Sequence, residues 1–193
     1  MIYEFSRMVC RWYLSLVGKW KVYGQENLPA NGGVIIASNH VSNLDPVIMG
    51  CTFDRRVSYL AKEELFKNPI FGWYISKLEA FPIKRGAGDR GAIRESLKIL
   101  ESGRCFGIFP EGTRSRTGEL QEGKAGAAML ALKAKVPVLP VGIKGSGQGK
   151  NIIVRVGKPM YFDEYYDRKA TKEDLEEITG RIMKEIRGLL ERE

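Results

Sequence analysis

Val34-Ile35-Ile36-Ala37-Ser38-Asn39-His40-Val41-Ser42-Asn43-Leu44-Asp45-Pro46 is the stretch whose reading decides the fold. The β-branched run 34–37, bounded by Gly32-Gly33 behind and Ser38-Asn39 ahead, reads as a buried strand. Asp45-Pro46 reads as a helix start, with Asp45 as N-cap and Pro46 at the first helical position, where a missing N–H costs nothing. His40, the only histidine in 193 residues, therefore leaves a strand end, and Asp45 stands at a helix mouth. Two side chains five apart on one helix would point apart. With a bend between them, Asp45 can fold back and accept the Nδ1 proton of His40. That leaves Nε2 to take a proton from a substrate, the base-plus-orienter arrangement of acyl-transfer sites. A structural histidine beside a plain helix cap fits the same residues, so the choice falls to the rest of the chain.

Working outward, strand-like runs alternate with helical patterns. Residues 57–61, ending at Lys62, read as a second strand, and Asn68-Pro69 starts a helix crowded with Ile70, Phe71, Trp73, Tyr74, Ile75 and Leu78. Core packing and contact with an acyl chain or lipid both fit that crowding. A short extended piece, Phe81-Pro82-Ile83-Lys84-Arg85-Gly86, precedes a helix that Asp89 can cap and whose apolar face carries Ile93, Leu97 and Leu100. Residues 105–109 form another buried strand running into the polar loop Pro110-Glu111-Gly112-Thr113-Arg114-Ser115. A helix follows from about residue 123 to 135, then strands at 138–143 and 152–156. Thr171-Lys172-Glu173-Asp174 opens a closing amphipathic helix with a capping box, and Leu175, Ile178, Ile182, Ile186 and Leu189 repeat along it. This alternation predicts an α/β fold: a mostly parallel, mixed sheet flanked by helices on both faces. In such sheets, sites lie beyond the carboxyl ends of the strands. His40, Lys62, Arg85 and the loop 111–114 all follow strand-like segments, which is what a site requires and a core does not.

The first 21 residues are the second informative stretch. Ile2, Phe5, Val9, Trp12 and Leu16 recur at three- and four-residue steps, and Arg7, Arg11, Lys19 and Lys21 against Glu4 give the segment a charge of +3. Its uncharged runs reach at most seven residues, far short of the roughly 20 that a membrane span requires. No unbroken apolar core marks a secretory signal. A basic, aromatic-rich amphipathic helix fits one lying in a membrane interface, and a helix covering the core fits the same stripe. The organisation expected is a membrane-associating helix over residues 1–21 and a catalytic domain over 22–193.

The net charge of +8 favours an anionic partner. Nothing resembles a helix-turn-helix, RNP or zinc pattern, and the basic residues are interleaved with acids, so no nucleic-acid partner is expected. Cys10, Cys51 and Cys105 are far apart, form no Cys-x-x-Cys pair and read as reduced core residues on the cytosolic side. With one histidine, a zinc site lacks its usual ligands, and no metal is expected.

Asn39-His40-Val41-Ser42-Asn43-Leu44-Asp45 resembles the His-x-x-x-x-Asp motif of the glycerolipid acyltransferases. Phe81-Pro82-Ile83-Lys84-Arg85 resembles their second block, Phe109-Pro110-Glu111-Gly112-Thr113-Arg114-Ser115 their third, and Val136-Pro137-Val138-Leu139-Pro140-Val141 their fourth. All four stand in the family's order over roughly residues 20–160, and four in register are a strong signal.

The resemblance implies transfer of a fatty acyl group from an acyl thioester, on coenzyme A or acyl carrier protein, to the sn-2 hydroxyl of lysophosphatidate. It implies no cofactor, no acyl-enzyme and a peripheral place on the cytoplasmic face of the cell membrane. His40 would be the base and Asp45 its orienter. Arg114 matches the family's phosphate-contacting arginine, and Arg85 corresponds to the arginine of the second block. Glu111 and Gly112 would shape the phosphate-binding turn, with hydroxyl contacts from Thr113 and Ser115. Lys62, after its own strand, is a further phosphate candidate. One departure is Lys84, where the second block commonly has an acidic residue. Two alternatives stay open: the same chemistry on glycerol 3-phosphate or another lysophospholipid, and a non-catalytic basic module binding anionic lipid or nucleic acid.

Overall fold

The computed structural model describes residues 1–83 and 90–192. Seven short runs pair into one sheet: β1 (Lys21–Tyr23), β2 (Val34–Ser38), β3 (Val57–Lys62), β4 (Ala80–Ile83), β5 (Cys105–Ile108), β6 (Val138–Lys144) and β7 (Ile153–Val156). The helices are α1 (Ile2–Leu16), α2 (Asp45–Thr52), α3 (Pro69–Lys77), α4 (Arg90–Glu101), α5 (Gly126–Ala134) and α6 (Lys172–Glu191). The strand order is β1-β7-β6-β2-β5-β3-β4. From β6 to β4 the strands are parallel; β7 runs against β6, and β1 lies parallel to β7 at the edge. The reversal at β7 follows from chain length. The connection 145–152 is shorter than the dozen or so residues a parallel crossover needs. The fold is the expected α/β arrangement.

The central strand β2 is buried along its whole length because both sheet faces are covered. Val34 and Ile36 join a cluster with Leu14 of α1 and Ile48 and Met49 of α2. Ile35 and Ala37 point the other way, into a cluster with Leu100, Ala128 and Ile182 from α4, α5 and α6. That sandwich carries the C-terminal ends of β2, β5, β3 and β4 to one edge of the sheet.

Several local expectations are corrected. Asp45 does not cap α2; it is the helix's first residue, Leu44 occupies the cap position, and the Asp45 carboxylate turns back towards the preceding loop. The edge strand β1 has no apolar run to announce it, and it forms by pairing with β7. α5 begins at Gly126 rather than near residue 123, because the segment before it is bonded to the loop after β5: Lys124 N donates to Pro110 O at 2.8 Å. Lys84, Arg85, Gly86 and Asp89 lie outside the described residues. The capping box of α6 is present, with Asp174 N donating to Thr171 Oγ1 and Thr171 N to Asp174 Oδ2.

Of the two placements that fit the stripe of α1, the structure shows the one that leaves it off the core. Tyr3, Ser6 and Leu14 face inward, and Phe5, Val9, Trp12 and Leu16 face outward, Trp12 being 67% exposed. α3 does likewise with Ile70, Phe71, Trp73 and Tyr74, Ile70 being 80% exposed. Ser6 Oγ and Tyr74 OH, 2.9 Å apart, join the two helices. Among the described residues, no helix is long and apolar enough to cross a membrane.

Candidate active site

His40 follows the end of β2, and its place is set before its ring is considered. Asn39, buried, uses its amide as a strand would use its backbone: Nδ2 donates to Ile143 O at 2.9 Å and Oδ1 accepts from Ile143 N at 2.8 Å. On the other side, His40 N donates to Glu111 Oε1 and Ser115 N donates to His40 O, each at 2.7 Å. Asn39 is thereby tied to β6 and His40 to the loop that follows β5.

The ring is held as closely. Asp45, fully buried, directs one oxygen at three donors: Val41 N and Ser42 N at 2.7 Å and His40 Nδ1 at 2.8 Å. An ionised carboxylate only accepts, so Nδ1 carries the proton and Nε2 of the neutral ring keeps its lone pair. Phe109 stacks on the imidazole, with centroids 4.0 Å apart and planes 16° from parallel. Nε2 makes no hydrogen bond with any described residue, and the ring retains some exposure. Such a group can accept a proton from a bound hydroxyl.

The loop after β5 supplies the remaining candidates. Glu111 is buried, and its second oxygen accepts from Gln121 N at 3.0 Å, so the carboxylate braces two backbones rather than facing solvent. Gly112 adopts φ +71°, a left-handed conformation that favours glycine, and the stem of Lys124 packs where a Cβ would sit. Thr113 and Arg114 are exposed beyond it, and Arg114 forms no ion pair with any described residue. Ser115 is buried and accepts from Gly118 N at 3.1 Å, so its hydroxyl serves the turn itself. Lys62 is exposed at the end of β3, the strand beside β5, and pairs in register with Ile83, the residue before Lys84-Arg85. Of the expected residues, the structure joins His40, Asp45 and Glu111 by direct bonds and sets Gly112, Thr113 and Arg114 in one loop. Lys62 lies on the same sheet edge, and Arg85 is outside the described residues.

Asn39, Phe109 and Gln121 were not singled out from the sequence. Asn39 and Phe109 carry a signal, since each flanks a strand end next to His40 or Glu111; Gln121 contributes only its backbone and carries none. Burial pushes the Cys51 thiol up to about 12, with Cys10 nearby adding to it, and Cys105 up to about 11. Neither is a nucleophile at neutral pH. Among the described residues no three of His, Cys, Asp and Glu gather to hold a metal.

Residues 19–144 match the family model described as acyltransferase. Over 195 residues the chain is 33% identical to the 1-acyl-sn-glycerol-3-phosphate acyltransferase of Bacillus subtilis, covering 97% of this chain and 96% of that protein. It is 32% identical to the protein of the same name from Streptococcus pneumoniae, covering 98% of this chain and 73% of the relative. In fold it is similar to the crystal structure of the 1-acyl-sn-glycerophosphate acyltransferase PlsC from Thermotoga maritima. That match has a TM-score of 0.76 and 28% identity, and it covers all of this chain and 79% of the other.

Proposed function

The chain belongs to the acyltransferase family, and on that premise we propose that it acylates the sn-2 hydroxyl of 1-acyl-glycerol 3-phosphate to give phosphatidate. The donor is an acyl thioester on coenzyme A or acyl carrier protein. One observation carries the reading: a lone histidine whose Nδ1 is fixed by a buried aspartate presents Nε2 at the sheet edge that also bears Arg114.

The sn-2 oxygen attacks the thioester carbonyl as His40 Nε2 takes its proton. Asp45 stabilises the imidazolium that forms, and backbone N–H groups stabilise the tetrahedral oxyanion. Collapse expels the thiolate, which recovers the proton from His40, so ester and free thiol leave with atoms balanced. No acyl-enzyme is formed, and the neutral, buried Cys51 and Cys105 agree with that. Arg114 holds the acceptor's phosphate with its fork, aided by Thr113, Lys62 and Arg85, in a turn shaped by Gly112 and braced by Glu111. No cofactor takes part; the thioester is a substrate.

The substrates are amphiphiles, and the outward aromatic faces of α1 and α3 suit an interfacial position. Residues 1–21 form the membrane-associating element and 22–193 the catalytic domain, and the protein sits peripherally on the cytoplasmic face, where acyl thioesters are available.

The test supplies lysophosphatidate with acyl-coenzyme A or acyl carrier protein thioester in micelles and follows phosphatidate. Glycerol 3-phosphate runs beside it as acceptor. His40→Ala is expected to lower kcat by about 10²–10⁴-fold, and Arg114→Ala to raise the acceptor KM by about 10- to 100-fold. Full activity in folded His40→Ala overturns the mechanism. Turnover of glycerol 3-phosphate alone reassigns the acceptor.

A further inference from the structure

We propose that Arg7 and Arg11 of α1 are positioning residues for the reaction: they hold the far end of α2, the short helix whose first residue is Asp45. The inference rests on the acyl-transfer reading above and assigns the N-terminal helix a task besides contact with lipid.

α2 has eight residues and so spans about 12 Å. At its first residue, Asp45 holds His40; at its other end the chain turns into β3 and leaves helix carbonyls to be satisfied. α1 satisfies them. Arg11 Nε donates to Cys51 O at 2.7 Å, and its Nη2 reaches Phe53 O at 3.2 Å and Asp54 Oδ1 at 3.0 Å. Arg7 Nη1 donates to Phe53 O at 2.9 Å and Asp54 O at 2.6 Å. Cys51 Sγ lies 3.9 Å from Arg7 O, and Val57 N, where β3 begins, donates to Tyr3 OH at 3.1 Å. Positive charge just past a helix C-terminus also complements its dipole.

Between those ends α2 is a rigid strut, with Ile48 and Met49 fully buried against the sheet. A shift at Cys51 is passed along it to Asp45. The aspartate has little slack, because one oxygen serves His40, Val41 and Ser42 within 2.7–2.8 Å. α1 thus faces lipid with its aromatic side and fixes the base–orienter pair with its basic side. A membrane anchor alone would not need both guanidinium groups bonded to the chain at the end of α2 rather than free to reach headgroups.

The experiment separates positioning from membrane contact by using short-chain lysophosphatidate and short-chain acyl-coenzyme A, both below their micelle-forming concentrations, with the full-length protein. Arg11→Ala is expected to lower kcat about 10- to 100-fold, the scale of a misplacement near 1 Å, with acceptor KM within twofold. Arg11→Lys, which keeps one charged donor and loses the fork, is expected to fall between the two. His40 is the only histidine, so ¹⁵N-histidine labelling isolates its ring. The low-field Nδ1–H proton should weaken in Arg11→Ala and partly return in Arg11→Lys. Wild-type kcat and an unchanged Nδ1–H signal in folded Arg11→Ala would overturn the proposal. If that variant does not fold, Arg11→Lys decides, and wild-type values in it overturn the proposal equally. A wild-type protein that makes no phosphatidate removes the reading underneath, and this inference falls with it. Phosphatidate from wild type with unaffected arginine variants removes this inference alone.

Discussion

In α6 the stripe of Ile178, Ile182, Ile186 and Leu189 is buried against the sheet; in α1 the stripe of Phe5, Val9, Trp12 and Leu16 is exposed. Both helices show the same three- and four-residue apolar steps, so periodicity does not separate them. Their chemistry does. α6 carries aliphatic side chains that pack densely and a capping box that fixes its start. α1 carries aromatic side chains outward and attaches inward through arginines, a tyrosine hydroxyl and Leu14. An apolar stripe says that a helix has an apolar neighbour. Which neighbour it has is decided by where the other face finds partners.

The sharpest way to break this contrast is to place a charge on each stripe. Ile182→Asp buries an unpaired carboxylate and is expected to cost roughly 4 kcal/mol or more, enough to unfold many domains of this size. Trp12→Asp should stay within about 0.5 kcal/mol of wild type in urea unfolding and lose most co-sedimentation with vesicles. If Trp12→Asp unfolds the protein, the outer face of α1 packs on protein after all. If it folds and still co-sediments, lipid is not the neighbour.

Truncation gives a milder version of the same test. Ile186→Ala is expected to cost about 2–4 kcal/mol, as a core cavity does, whereas Val9→Ala should cost less than about 0.5 kcal/mol. Denaturant midpoints at constant slope measure both. Near-equal losses would erase the distinction between the two helices.

The same contrast explains what was legible beforehand. The strand–turn–helix at 34–46, the polar insertions after β3 and β5, and the start of α6 are local signals, and residues within a few positions of each other decide them. What escaped is long-range. Glu111 bracing His40 and Asn39 replacing a ladder bond to Ile143 join residues 71 and 104 positions apart, and no periodicity encodes that. The edge strand β1 exists only because β7 pairs with it. Asp-Pro at a helix mouth is a frequent local solution in which Asp caps the helix, and local signals alone therefore make Asp45 a cap. Here the fixed loop offers Val41 N, Ser42 N and His40 Nδ1 instead. The direction in which α1 turns its stripe is not local either, since it depends on carbonyls at and beyond the end of α2.

Helix ends sharpen the comparison further. Thr171 caps α6 through its side chain, while α1 begins without a side-chain cap. Thr171→Ala should therefore cost about 1 kcal/mol, and α1, held by its arginines, offers no equivalent loss at its own start. Amide exchange in the first turn of α6 should speed up in that variant and remain unchanged in α1. Exchange accelerating equally in both helices would mean that the cap acts on the whole fold.

The smallest effect lies at the same cap and concerns pH. Hydrogen bonds from Arg168, then from Thr171 N, hold the Asp174 carboxyl well below its ordinary value of 3.8. A carboxyl depressed in the folded state adds stability that is fully present above the unfolded value and is lost as pH falls through the folded one. The contribution should be constant from neutrality down to about pH 5 and shrink below pH 4. Asp174 sits at the surface, so the difference is modest and screened by salt. Urea midpoints of wild type and Asp174→Asn should run parallel above pH 5 and converge below pH 4. Curves that stay parallel to pH 3 would show that the amide replaces the carboxylate in the capping box, leaving the geometry of the cap rather than its charge as what secures α6.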